Sequence, residues 1–272
     1  MKQLLEQVAK LLPIEKIPLN WDAMGYASQS FSKSACAESF TGWEGDLTTA
    51  EEVRVIAEQL EVVEGDRLLD IGCGYGRQDL LLARDYGLKV TGVDISPALI
   101  ETARRLARNA DLSITYDVKH GRDLNWQEEF DHCLIAFNTF SLFSPEDAPV
   151  VLHAVHRALR ECGRLFLDLD NKPYNCRYGT SYRDWRVWPE GLLLQEVYFH
   201  RDSSVEVNRD VTLDPESNEV AEFLVFKRIY AEEDIRSLMS DCGFQVAKLH
   251  GSWHLSPLDD KSPKIILLAR RE

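Results

Sequence analysis

The sequence has no apolar run long enough to cross a bilayer, and charges interrupt even its N-terminal stretch, MKQLLEQVAKLLPIEKIP. A spanning helix needs about 20 predominantly apolar residues and a secretory leader an unbroken apolar centre, so neither is expected. Paired cysteine spacing is missing too. Cys36, Cys73, Cys133, Cys162, Cys176 and Cys242 are scattered, and no C-x-x-C occurs. Scattered thiols, several inside apolar runs, point to reduced side chains and a cytoplasmic setting rather than a disulfide framework. Basic charge is scarce, with 31 Lys and Arg against 45 Asp and Glu and a formal net charge of −14. A surface of that sign repels phosphate backbones and anionic lipid, so neither nucleic acid nor membrane is an expected partner. The basic clusters, Arg104-Arg105 with Arg108 and Arg270-Arg271, read as a solvated helix face and a chain end. No G-x-x-x-x-G-K-[ST] is present, which removes a phosphate-gripping P-loop. His153 and His156 share one helix face without a third ligand nearby in the sequence, so no metal is expected.

What is present is a regular alternation. Residues 1–12 read as a short helix stopped by Pro13, and Thr48 with Glu51 has the capping-box spacing that opens a helix to about Leu60. Arg67–Ile71, Lys89–Asp94, Leu112–Val118, His132–Phe137 and Arg164–Leu169 read as strands. Between them, Arg77–Tyr86 reads as a helix. A second is opened by Ser96-Pro97 and ends near Asn109; a third is opened by Ser144-Pro145 and ends near Cys162-Gly163. Such alternation predicts an α/β fold, a doubly wound and mostly parallel sheet with helices on both faces. After Asp170 the pattern changes. Leu192–His200, Ser204–Leu213 and Ala221–Tyr230 read as consecutive strands of an antiparallel β insertion. A helix over Glu232–Asp241 and strands at Phe244–His250 and Lys264–Ala269 follow.

The segment LLDIGCGYGR, Leu68–Arg77, puts Gly72, Gly74 and Gly76 between an apolar strand and a helix. A turn that tight needs backbone angles other residues resist, and the helix behind it presents unpaired N–H groups to an anionic group. The spacing discriminates. A dinucleotide fingerprint G-x-G-x-x-G counted from Gly72 requires glycine at 77, where Arg77 stands; here the pattern is G-x-G-x-G. Asp70 ends the first strand, and Asp94, in VTGVDIS, ends the second, placed to accept hydrogen bonds from a ribose diol.

These motifs, with FDHCLIAFNTFSLF and GRLFLDLDN in order behind them, resemble the class I S-adenosylmethionine-dependent methyltransferases, in particular small-molecule members with a strand insertion after the fifth strand. The resemblance covers about residues 48–170 and implies a seven-stranded sheet. It implies S-adenosyl-L-methionine as cofactor, S-adenosyl-L-homocysteine as product, and a small-molecule acceptor methylated at N or O. It places Asp70, Cys73 and the backbone of Gly72, Gly74 and Gly76 along the methionine part, Asp94 at the ribose, Ile95 on the adenine, and Asn138 beside the methionine moiety. Two positions depart from the family pattern. Where an acid after the third strand meets the adenine amino group, this chain has His120 followed by Gly121, and a neutral histidine accepts that hydrogen bond. Cys162-Gly163 stands where the family often has two glycines.

The same reading divides the chain into an N-terminal helical or lid segment (1–47), a cofactor-binding core (48–170), a β insertion capping the substrate (171–230) and a C-terminal completion of the sheet (231–272). Tyr26 and Trp43 in the lid, and Tyr174, Arg177, Tyr182 and Trp185 at the start of the insertion, are substrate candidates, with Trp185 and Trp188 equally readable as packing. DNKPY, Asp170–Tyr174, is partly like the N-P-P-Y motif of enzymes that methylate bases or amides, but it follows the fifth strand and lacks the double proline. No catalytic residue is demanded, because methyl transfer from a sulfonium depends mainly on positioning. The competing readings are a nicotinamide-dependent oxidoreductase, a protein methyltransferase, and a noncatalytic module that keeps the pocket.

Overall fold

Seven strands form one sheet, in the order Phe244–His250, Lys264–Arg271, Leu159–Asp170, Phe130–Ile135, Arg67–Ile71, Lys89–Asp94 and Thr115–Val118. The computed structural model describes residues 6–8, 10–21, 24, 47–179, 181–188, 191–214 and 219–272. In chain order the elements are α1 (Thr49–Leu60), β1 (Arg67–Ile71), α2 (Arg77–Tyr86), β2 (Lys89–Asp94), α3 (Pro97–Asn109), β3 (Thr115–Val118), β4 (Phe130–Ile135), α4 (Asp147–Ala158), β5 (Leu159–Asp170), α5 (Lys172–Tyr178), β6 (Tyr182–Trp188), β7 (Gly191–His200), β8 (Val205–Asp214), β9 (Glu219–Arg228), α6 (Glu232–Asp241), β10 (Phe244–His250) and β11 (Lys264–Arg271). Strands β1 to β5 pair in parallel, while β11 runs antiparallel to both β5 and β10. This is the doubly wound, mostly parallel seven-stranded sheet that the alternation and the resemblance predict.

The chain reverses direction between β1, which pairs with β2 on one side, and β4 on the other. In doubly wound sheets the crevice beyond the carboxyl ends of the strands at that reversal is where ligands bind. Leu68, Leu69, Leu134, Leu165, Phe166 and Leu167 are fully buried, so the central strands are apolar on both faces, as a sheet covered by helices requires. Local signals set the helix starts. The Thr48–Glu51 capping box is formed around α1, Ser96 Oγ accepts from Leu99 N at the start of α3, and Ser144 Oγ accepts from Asp147 N ahead of α4.

Several elements differ from the sequence reading. β3 begins at Thr115 rather than Leu112. β4 stops at Ile135 because Phe137 and Asn138, assigned by alternation to the strand and the position after it, take left-handed φ values of 57° and 58°. α4 opens at Asp147 and ends at Ala158, and Leu159 already belongs to β5, whose pairing with β4 slips in register around Cys162. β6 reads in the sequence as a run of pocket aromatics, yet Tyr182–Trp188 pairs with β7, and α5 precedes it.

The insertion is a separate antiparallel sheet, β6-β7-β8-β9. Val205, Val207 and Phe226 on it pack against Ile14 and Ile17 of a 3-10 turn (Ile14–Lys16), with Trp21 and Met24 alongside. Arg209 is buried in that sheet, its Nε 2.6 Å from Glu196 Oε2 and its Nη1 donating to Leu12 O at 2.6 Å. At the other end, Lys227 Nζ lies 3.3 Å from Asp170 Oδ2, tying β9 to the end of β5. Of the N-terminal helix expected over residues 1–12, the residues 6–8 are helical. The five described cysteines, Cys73, Cys133, Cys162, Cys176 and Cys242, are free. No helix among the described residues is long and apolar enough to cross a membrane.

Candidate cofactor site

The loop between β1 and α2 is held from below. Gly72 N and Cys73 N both donate to Val93 O, at 2.7 and 3.1 Å, and Gly76 N closes a turn onto Cys73 O at 2.9 Å. Gly74 has φ of +57°, and a Cβ placed there would meet no protein atom within 4 Å, so its open side faces empty space. Gly76 is different: at φ +76° it is the N-cap of α2, and a Cβ there would drive into the Tyr116 ring, with Cζ at 2.8 Å. One glycine leaves room for a ligand and the other lets the helix start against β3.

Asp94, at the end of β2, bridges this loop to the next helix. Its Oδ2 accepts from Gly74 N at 3.0 Å and its Oδ1 from Ser96 N at 2.8 Å. Burial pushes its carboxyl above the ordinary carboxylate range, against the pull of those amides. Below the loop lie two more carboxyls, Asp70 and Asp79, 3% and 0% exposed. Burial raises Asp70 well above its usual value, with Asp79 adding to the rise, and burial lifts Asp79 to about 6. The Asp79 oxygens and the Tyr116 hydroxyl are sealed from water without a well-formed hydrogen bond.

After β3, His120 caps the short turn Gly121–Asp123, its Nδ1 accepting from Arg122 N at 3.1 Å. Its ring meets Phe143 edge-on at 5.5 Å, and burial and the Arg122 charge push its pKa down. After β4, Phe137 lies under the Arg77 guanidinium, 4.0 Å from ring centroid to Cζ. Arg77 is fixed in turn by Glu52 at 2.6 Å and Thr49 Oγ1 at 2.8 Å.

These segments enclose a cavity of about 370 Å³, within the range of small-molecule and cofactor sites. Asp70, Gly72, Cys73, Gly74, Asp94, Ile95, His120 and Gly121 all line it. Two residues assigned to it do not. Gly76 lies behind the loop against Tyr116, and Asn138 is not in the lining, its backbone N donating to the buried Asp168 Oδ1 at 3.4 Å while its neighbours Phe137 and Thr139 face the space. Met24, Tyr75, Arg77, Lys119, Phe137 and Phe143 line it as well. The aromatic run after β4 carried a signal for Phe137 and Phe143; Met24 arrives by tertiary packing, which no local pattern encodes.

The substrate candidates are dispersed. Tyr26 and Trp43 lie outside the described residues. Tyr174 stacks on Tyr178 of α5 at 4.9 Å, Arg177 is exposed on the same helix, and Tyr182 and Trp185 are 44% and 65% exposed on β6. None of these four lines the cavity. His153 is exposed, whereas His156 packs edge-on against Phe244 at 5.4 Å rather than facing solvent.

Comparison with known proteins agrees with this geometry. Residues 68–163 match the family model described as a methyltransferase domain. The chain is 32% identical over 133 residues to the 27-O-demethylrifamycin SV methyltransferase of Amycolatopsis mediterranei, covering 46% of this chain and 48% of that protein. It spans about half the length of the curated relatives it matches. Among solved structures, an S-adenosylmethionine-dependent methyltransferase from Clostridium acetobutylicum superposes with a TM-score of 0.73 at 17% identity, over 89% of this chain and 98% of that one. The sugar N-methyltransferase KedS8 from a Streptoalloteichus species superposes at 0.64 and 18% identity, over 86% and 92%.

Proposed function

We propose that this chain, which carries the core of a class I S-adenosylmethionine-dependent methyltransferase, transfers a methyl group to N or O of a small molecule. The observation that carries the reading is the Asp94 carboxylate placed against Gly74 at the mouth of a cavity whose loop leaves a Cβ-sized opening. That cradle fits an adenosyl compound. Asp94 would accept from the ribose hydroxyls, Ile95 and Phe143 would flank the adenine, and the loop 72–75 with Asp70 behind it would take the methionine part. Gly76 and Asn138 then act through the backbone around them.

When bound, S-adenosylmethionine supplies an electrophilic methyl group on a sulfonium, so the protein needs no nucleophile of its own. Its task is alignment, which can account for about 7–11 kcal/mol of barrier lowering. Arg77 stacks on Phe137 at the wall of the cavity, and Met24, anchored to the insertion, adds to the lining; together they would restrict the approach and help exclude water. An amine acceptor has to be held neutral, and a hydroxyl acceptor gains from a base.

The acceptor class is supported by relatives whose names describe small-molecule acceptors, the rifamycin enzyme and the sugar N-methyltransferase among them. The net charge of −14 favours such acceptors over nucleic acid, and the scattered thiols fit the cytoplasm. We read residues 171–230 as the cap over the acceptor, with Tyr174, Arg177, Tyr182 and Trp185 as its candidate contacts. Calorimetric titration of folded protein with S-adenosylmethionine, S-adenosylhomocysteine and NADH tests the reading. Uptake of the first two and not the third is expected, and refusal of both would overturn it.

A further inference from the structure

His120 stands where the family resemblance puts an acid that accepts from the adenine amino group, and the sequence alone allows a neutral histidine to do the same. The structure takes that option away. The acceptor nitrogen of the ring, Nδ1, already receives the Arg122 amide hydrogen at 3.1 Å. A neutral imidazole has one donor and one acceptor. With Nδ1 committed to the backbone, the proton sits on Nε2, and Nε2–H is what the ring has left to offer.

Three contacts hold this arrangement. His120 is the N-cap of the turn Gly121–Asp123, so rotating the ring would orphan an amide that the turn needs satisfied. Phe143 packs edge-on against the ring at 5.5 Å, which fixes its plane. Gly121 follows, buried, where a Cβ would stand 3.0 Å from Phe143 Cζ, so the loop packs closely against the ring that borders His120. His120, Gly121, Phe143 and Ile95 border one end of the cavity. Burial and the nearby Arg122 charge keep the ring neutral, opposed by the weaker pull of Asp147 and Asp123.

We propose that His120 binds the adenine of the cofactor as a donor, its Nε2–H directed at ring nitrogen N1, so that this chain reads position 1 of the purine where its relatives read the exocyclic amino group. The amino group donates through its hydrogens, and its lone pair is delocalised into the ring and accepts poorly; N1 beside it accepts. The polarity of the contact is therefore reversed relative to a carboxylate at the same place. This inference rests on the S-adenosylmethionine reading given above.

The experiment is a binding cycle with three ligands: S-adenosylhomocysteine, its 1-deaza analogue (N1 replaced by C–H) and its 6-deamino analogue. Each is titrated by calorimetry into wild type, His120→Ala and His120→Asp. Wild type should bind the parent roughly three- to tenfold more tightly than the 1-deaza analogue, the range of one neutral hydrogen bond. His120→Ala should abolish that preference and leave the preference over the 6-deamino analogue unchanged. His120→Asp should gain preference over the 6-deamino analogue, because it installs an acceptor. The proposal is overturned if His120→Ala instead erases the 6-deamino preference, or if it changes neither. Failure of wild type to bind S-adenosylhomocysteine at all would count against the cofactor reading itself. Nitrogen-15 NMR of the histidine ring gives a test independent of ligand and of variant folding. The His120 Nε2 resonance should have the shift of a protonated nitrogen and Nδ1 that of a bare one; the opposite pattern overturns the proposal.

Discussion

Asp94 holds the amide of Gly74 at 3.0 Å with one oxygen and that of Ser96 at 2.8 Å with the other. One side chain therefore fixes both the glycine loop and the start of α3, and it does so at the rim of the cavity. An isosteric Asp94→Asn keeps the shape but loses the charged acceptor. Affinity for S-adenosylhomocysteine should fall roughly 10- to 100-fold, the scale of a hydrogen bond to a charged group, and the melting temperature should drop too, because the amide NH2 then faces one of the two backbone N–H donors. Calorimetry beside a thermal melt checks both, and unchanged affinity would detach Asp94 from the ribose.

Gly74 and Gly76, both left-handed, predict different phenotypes. Gly74→Ala places its methyl in open space and should cost stability only the left-handed penalty of about 1–2 kcal/mol, yet cofactor affinity should collapse. Gly76→Ala meets Tyr116 as well and should lose about 2–4 kcal/mol of stability. Urea titrations of both variants, paired with binding curves, separate the roles.

Asp79 is fully buried with a carboxyl raised to about 6 by burial. A carboxyl whose folded pKa lies above its unfolded value near 3.9 contributes stability at low pH that is lost as pH rises through about 6. Asp79→Asn should therefore stabilise the protein at pH 8, by about 1–3 kcal/mol, and leave it unchanged near pH 4. Denaturant midpoints at the two pH values decide it, and a stabilisation that is the same at both would contradict the burial argument.

Asp170 works in the other direction. Burial alone would raise it, but Lys264 at 2.8 Å and Lys227 at 3.3 Å outweigh that and hold its carboxyl below the ordinary range. Its stability contribution is complete above the unfolded carboxylate pKa and is lost as pH falls toward the depressed value. Asp170→Ala removes the carboxylate that Lys264 and Lys227 share, leaving Lys227 with Glu206 at 2.6 Å and Lys264 with Asp168 at 3.7 Å, and should cost about 1–3 kcal/mol at pH 7, less in acid. The combined Asp170→Leu, Lys264→Met variant should recover part of that loss, measurable in the same melts.

The core of this fold was legible because its signals are local. Strand β1, helix α2 and strand β2 fall where periodicity and capping place them, since glycine spacing, a Ser-Pro N-terminus and a capping box act within four residues. Eight of the ten residues that the resemblance assigns to the cofactor line the cavity for the same reason. What failed depends on distance. The left-handed pair Phe137–Asn138 is held by Asp168, 30 residues away, and the alternation of the preceding strand does not report it. β6 was hidden because Trp185 and Tyr182 suit a pocket as well as a strand, and pairing with β7 decided the matter. The polarity of His120 depended on an amide two residues on, a contact that spacing permits but does not require.

Met24 touches the cofactor cavity and at the same time takes the Phe226 amide on its sulfur at 3.3 Å, inside the cluster formed with Ile14 and Ile17. The side chain that borders the cavity at this point is thus fastened to the inserted sheet and not to the sheet that carries the glycine loop. Any movement of the insertion about its contacts with the core, Lys227 on Asp170 among them, would carry Met24 with it and alter the lining of the cavity.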